Sequence, residues 1–312
     1  MTASSDAGRT IEICDVGPRD GLQSEDRLWS VGERVELINR LIGAGLKRIE
    51  AVSFVNPKRV PQMADAEAVV EGIDRSKDVR IAGLALNARG AERAIAAEVD
   101  EVRFVVVASE TFNRKNQGAS VSQTLDGFDA VAGPVRAAGI RLSGVIGASF
   151  GCPFEGAVPP GRVAGIAGRL AERGAEEIGL ADTIGSAVPT QLTELHPMIA
   201  DAVGEGTRIG FHLHNTRNTG FANAAVAAGL GVDFLDASVG GLGGCPFAPA
   251  ATGNIATEDL CFMLRNMGYE TGIDLAALID VARWTEGFFD EPLPGQVMKA
   301  GLFPEVATQA AG

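Results

Sequence analysis

Eight short apolar runs recur along this chain, each bounded by turn residues and separated from the next by a helix-length segment. The runs fall at about 10–16, 47–54, 80–86, 101–107, 141–148, 176–181, 207–212 and 232–238. The segments between them predict helices over 31–44, 60–72, 88–97, 121–138, 160–174, 189–204 and 218–229, with an eighth at 254–267. A strand joined to a parallel neighbour needs a crossover of about a dozen residues, and near-continuous apolar strands are buried on both faces. Eight such units close on themselves, so the pattern predicts an α/β fold, a (β/α)8 TIM barrel. An open doubly wound sheet is the alternative, but no G-x-G-x-x-G follows the first strand. Gly45, Gly174 and Gly229 stand where helix ends favour a left-handed residue.

The 312 residues suit one barrel, which needs about 250. No linker divides them, so a single domain is expected, with the barrel over about 10–270 and additional C-terminal helices over 271–312. The net charge of −13 repels a phosphate backbone and argues against nucleic acid. No apolar run reaches the roughly 18 residues of a membrane helix. The first ten residues lack the apolar core of a signal peptide, and the four cysteines form no C-x-x-C pair, which fits a cytoplasmic protein.

In such a barrel, functional residues gather at the C-terminal strand ends. There the sequence places Gly17-Pro18-Arg19-Asp20-Gly21, Glu50, Asp182, His212-Leu213-His214 and Gly240-Gly241-Leu242-Gly243-Gly244-Cys245. His212 and His214, two residues apart on one strand, point to the same face, and Asp20 comes to the same rim. Two imidazoles and a carboxylate predict a divalent metal, with Mg²⁺ or Mn²⁺ favoured over structural Zn²⁺. Arg19 carries a planar guanidinium suited to an enolate oxygen, or else forms a surface ion pair with Glu50. Cys245, in a glycine-rich loop, serves either as an acid–base thiol on a lid or as inert packing. Cys14, Cys152 and Cys261 are assigned to packing, and His196 to an ordinary helix position.

These segments, together with 50–54, Gly151-Cys152-Pro153-Phe154-Glu155-Gly156, Asp182-Thr183-Ile184-Gly185 and Gly253-Asn254-Ile255-Ala256-Thr257-Glu258-Asp259, closely resemble the 3-hydroxy-3-methylglutaryl-CoA lyase family of DRE-TIM metallolyases. The resemblance runs in order over about 10–275. It implies metal ligation by Asp20, His212, His214 and Asn254, with Arg19 at the thioester carbonyl and enolate and Glu50 supporting it. It also implies Asp182 near the reacting hydroxyl and Cys245 over the site. The implied reaction is a retro-Claisen cleavage of an acyl-CoA to acetyl-CoA and acetoacetate, or the matching keto acid, by a homodimer acting in leucine degradation. Lys58, Arg59, Arg114 and Lys115 are candidates for the CoA phosphates. Two departures stand out. His214 is followed by Asn215-Thr216-Arg217 where the lyases usually carry Asp-Thr, which points to a related acyl group, and Ser24-Glu25-Asp26-Arg27 is more acidic than the family pattern. Arg217 either reaches the mouth or pairs with a carboxylate on a neighbouring helix. The competing reading is a condensing enzyme joining an acyl-CoA to an α-keto acid. It is disfavoured because about 40 residues leave no room for the accessory regions of such synthases.

Overall fold

The computed structural model describes residues 9–244 and 253–303. Eight parallel strands form a closed barrel: β1 (Glu12–Asp15), β2 (Arg48–Ser53), β3 (Arg80–Leu84), β4 (Glu101–Val107), β5 (Arg141–Gly147), β6 (Glu177–Ala181), β7 (Arg208–His212) and β8 (Phe234–Ala237). Closure comes from β1, which pairs with β8 through Cys14↔Asp236 and with β2 through Cys14↔Arg48. The expected TIM barrel is therefore the fold, and its strands are almost fully buried.

Local chemistry explains the helix starts. Ser30 and Ser120 each accept the backbone N–H of the third helical residue, and Glu33 and Gln123 answer in reciprocal capping boxes. Beyond the barrel, Leu275–Glu286 packs back onto Val31–Gly43, where Trp29 meets Phe288 at 4.6 Å between ring centres.

The structure differs from the sequence expectation in four places. The helix expected over 60–72 is broken, with a single turn Pro61–Met63, then Asp65 at φ 56°, then Ala66–Glu71. A helix Glu110–Gln117, outside the expected set, follows β4, and Ser109 accepts from Phe112 N as its N-cap. A two-stranded hairpin, Gly151–Cys152 with Gly156–Ala157, follows β5. Gly45 and Gly174 are left-handed as expected, whereas the left-handed residue near Gly229 is Gly231, at φ 85°.

The barrel interior is charged where branched aliphatics usually dominate. Arg48 and Glu101 are fully buried and paired through Arg48 Nε and Glu101 Oε2 at 2.9 Å, and Arg48 also pairs with Glu177. Phe234 fits into this layer beside Gly210, where a Cβ would stand 2.5 Å from its ring. Toward the C-terminal end the pairs continue through Arg103 to the mouth. No described helix is long and apolar enough to cross a membrane.

Candidate active site

The chain leaving β1 makes one tight helical turn, Gly17–Gly21, in which the amides of Arg19, Asp20 and Gly21 all donate to Val16 O. This turn sits on a buried polar base. Asp15 accepts from Gly17 N at 2.8 Å and from Thr257 Oγ1 at 2.6 Å. A Cβ at Gly17 would lie 2.9 Å from Asp15 Oδ1, so the close approach requires glycine. Burial raises the Asp15 carboxyl to about 7.

That turn brings Arg19 and Asp20 together, although adjacent side chains usually diverge. Arg19 Nη1 donates to Asp20 Oδ1 at 2.8 Å, and Nε and Nη2 grip Glu50 Oε1 and Oε2, each at 2.8 Å. Glu50 is fully buried, so the pair is an interior clamp and not a surface ion pair. A guanidinium has five N–H bonds, and these three contacts leave one free on each terminal nitrogen.

His212 ends β7, and His214 lies two residues on, bridged in antiparallel fashion to Asn254. Their Nε2 atoms are 3.1 Å apart, and His212 Nε2 is 3.8 Å from Asp20 Oδ2. One ligand atom each from Asp20, His212 and His214 lies within 4.8 Å of the others. Asp236 Oδ2 stands 3.3 Å from His212 Nδ1; a carboxylate only accepts, so Nδ1 carries the proton and Nε2 keeps its lone pair for a metal. Burial and the neighbouring His212 lower His214 to about 3, which keeps it neutral. Although burial opposes it, Arg19 and the imidazoles hold Asp20 down at about 2.

Asn254 completes the group. Its Nδ2 donates to Asp20 Oδ2 and Leu242 O, each at 2.9 Å, while its Oδ1 is buried without a hydrogen-bond partner. A buried, unpaired oxygen on a residue bonded to Asp20 and bridged to His214 suits a divalent cation with a preference for oxygen.

These residues border a cavity of about 550 Å³ at the C-terminal end of the barrel, lined by Arg19, Asp20, Glu50, His212, His214 and, deeper, Arg103 and Asp236. Asp182 does not line it. Its carboxylate accepts from Ser186 N at 2.8 Å and Ala187 N at 3.0 Å and holds the loop after β6. Arg217 contributes to the same loop. Its Nη1 donates to Ile184 O at 2.8 Å and Gly185 O at 3.0 Å, so it neither enters the mouth nor pairs with a helix carboxylate.

Of the four phosphate candidates, Arg59 lines the cavity and the others do not. Lys58 is exposed beside it, Arg114 pairs with Glu110, and Lys115 lies 5.0 Å from the Phe154 ring centre. Arg27 is engaged by Glu33 and stacks on Trp29 and Phe288. Cys245 lies outside the described residues; Gly244, the residue before it, borders the cavity. Cys14, Cys152 and Cys261 are buried free thiols, and His196 is half-buried. Sequence reasoning missed Arg103 and Asp236. The signal available was period-two alternation, which puts Arg103 on the inward side of β4 with Glu101, and Asp236 inward on β8 with Phe234.

The profile of the HMGL-like family matches residues 10–284. The chain belongs to the HMGL-like family. An HMGL-like relative from Chloroflexus aurantiacus, named (R)-citramalyl-CoA lyase, is 46% identical over 96% of this chain and 98% of its own length. Hydroxymethylglutaryl-CoA lyase of Bacillus subtilis is 40% identical over 92% of this chain and 96% of its own. Among solved structures, a Bacillus subtilis HMG-CoA lyase superposes with a TM-score of 0.90 at 39% identity, covering 94% of this chain and 98% of that one. An Acinetobacter baumannii HMG-CoA lyase in complex with coenzyme A and 3-methylmalate also superposes with a TM-score of 0.90, at 38% identity, covering 98% and 100%. The HMGL-like chain is thus a carbon–carbon lyase, and the lyase reading is favoured over the condensing one.

Proposed function

We propose that the enzyme cleaves a 3-hydroxy-3-methyl dicarboxylic acyl-CoA by a retro-Claisen reaction, with (R)-citramalyl-CoA as the preferred substrate and 3-hydroxy-3-methylglutaryl-CoA as a slower one. The observation that carries this reading is the convergence of Asp20, His212 and His214 beside the Arg19–Glu50 clamp in one cavity, with Asn254 hydrogen-bonded to Asp20. The choice of acyl chain is supported by the 46% identity to the relative named for citramalyl-CoA. The two substrates share the tertiary hydroxyl and free carboxylate and differ by one methylene; the shorter would give pyruvate, the longer acetoacetate, each with acetyl-CoA.

Asp20, His212, His214 and Asn254 would hold Mg²⁺ or Mn²⁺, which when bound supplies Lewis acidity toward the hydroxyl and carboxylate. Arg19 aims its two free N–H bonds at the thioester oxygen, where charge develops as the C2–C3 bond breaks. Glu50 fixes the guanidinium in place and so lowers the reorganisation needed. Of the two proton donors the sequence offered, His212 and Cys245, Cys245 is the candidate for returning a proton to C2 of the enolate, because the Nδ1 proton of His212 is held by Asp236 and its Nε2 would serve the metal. Arg59, which lines the cavity, would meet a CoA phosphate.

The test is a kcat/KM comparison of acetyl-CoA release from (R)-citramalyl-CoA and 3-hydroxy-3-methylglutaryl-CoA with Mn²⁺, beside CoA release from acetyl-CoA plus pyruvate. Preference for the shorter thioester supports the reading. Preference for the longer one reverses the assignment of the chain, and faster net condensation overturns the lyase reading.

A further inference from the structure

We propose that Arg103 is a positioning residue that locks the enolate-facing arginine and the metal-facing histidine to one buried guanidinium. The inference rests on the lyase reading for its kinetic consequence, but its geometry stands independently.

Arg103 is 2% exposed and lies beneath the mouth, on the inward side of β4. Its Nη1 and Nη2 grip Asp236 Oδ2 and Oδ1 at 2.8 and 3.0 Å. The same Nη1 reaches Glu50 Oε2 at 3.3 Å, and Nε donates to Glu101 Oε1 at 3.1 Å. Each of the two upper carboxylates holds one functional group. Asp236 accepts a hydrogen bond from His212 Nδ1, and Glu50 accepts from Nε and Nη2 of Arg19. A chain of contacts therefore runs His212–Asp236–Arg103–Glu50–Arg19, with Arg103 at its centre.

Removal of the guanidinium would leave Asp236 and Glu50 buried and facing the same space without a cation between them. Asp236 would then lose the fork that sets its plane, and with it the aim of His212 Nε2. A lysine cannot replace this arrangement, because a single ammonium cannot present a planar fork to one carboxylate while bonding two others. Carboxylates that orient a metal-ligating histidine typically change metal affinity by about 10–100-fold when disturbed.

The experiment is Mn²⁺ titration followed by electron paramagnetic resonance of free Mn²⁺, on wild type, Arg103→Lys, Asp236→Asn and the double variant. Arg103→Lys is expected to keep its near-UV circular dichroism, to bind Mn²⁺ about 10-fold or more weakly, and to lose kcat with little change in KM. In the Asp236→Asn background the Arg103→Lys change should shift Mn²⁺ affinity no further, because its route to His212 is already cut. Wild-type affinity in Arg103→Lys would overturn the proposal, as would the same loss in both backgrounds. Should Arg103→Lys lose its near-UV spectrum, Arg103→Gln paired with Glu101→Gln, which removes a buried acid along with the buried base, carries the same measurement. A wild type that binds Mn²⁺ yet cleaves no acyl-CoA would sink the lyase reading and leave the Mn²⁺ titrations to decide on Arg103.

Discussion

Asn254, bridged through its backbone to His214, donates its amide nitrogen to Asp20 at 2.9 Å, while its own side-chain oxygen is buried and unpaired. The contact joins the end of the chain segment after β8 to the turn after β1, residues 234 positions apart. Replacing Asn254 by Ala should therefore weaken Mn²⁺ binding and lower kcat while the barrel persists, since the side chain bonds Asp20 and Leu242 O at the mouth and is not part of the apolar core. Calorimetric titration with Mn²⁺ checks this; unchanged affinity would remove Asn254 from the ligand set.

Arg19→Lys should cut kcat far more than KM. A point charge cannot hold Glu50 with two bonds, meet Asp20 and still present donors to a developing oxyanion. The expected loss is on the order of 10²-fold, the scale for removing one oxyanion donor. Steady-state kinetics within about threefold of wild type would reduce Arg19 to a partner of Glu50.

Arg217 holds two carbonyls of the loop after β6 and does not line the cavity. Arg217→Ala should lower the melting temperature by a few degrees, as expected for loss of roughly 1–2 kcal/mol of charge-assisted bonding. The ratio of kcat/KM for citramalyl-CoA over hydroxymethylglutaryl-CoA should stay the same. A changed ratio would restore the selectivity role that its position in the sequence suggested.

The barrel and the mouth were legible because both follow from period. Alternating runs of eight predict closure, and His212 and His214 two residues apart predict a shared face. Beneath the mouth, alternation turns Arg103 and Asp236 inward, but their pairing was not legible. Arg103 and Asp236 sit within apolar runs, and nothing in one strand's sequence tells whether an inward charge meets a partner on another strand. Arg217 was misplaced for a related reason: its acceptors are the backbone carbonyls of Ile184 and Gly185, which carry no side-chain signal.

Glu258 offers a pH test of the polar base under the site. It is fully buried; its Oε2 accepts from Gly240 N at 3.0 Å, its Oε1 has no hydrogen-bond partner, and burial lifts its pKa from 4.5 to about 8. Between those pH values the folded state keeps a proton that the unfolded chain has lost, so this group makes stability fall as pH rises. Glu258→Gln, which stays neutral, should gain in melting temperature relative to wild type as pH goes from about 5 to about 8. A difference that stays flat across that range would mean Glu258 ionises normally in the fold.

The central claim, that Asp20 and the two histidines form a catalytic metal site, is tested most directly by measuring Mn²⁺ binding and acetyl-CoA release together in wild type and Asp20→Ala. Wild type should bind one Mn²⁺ per chain, lose turnover on chelation and regain it when Mn²⁺ is restored. Asp20→Ala should keep its fold, bind Mn²⁺ at least about 10-fold more weakly and release no acetyl-CoA above background. Turnover that survives chelation in wild type, or wild-type Mn²⁺ affinity in Asp20→Ala, would contradict the account.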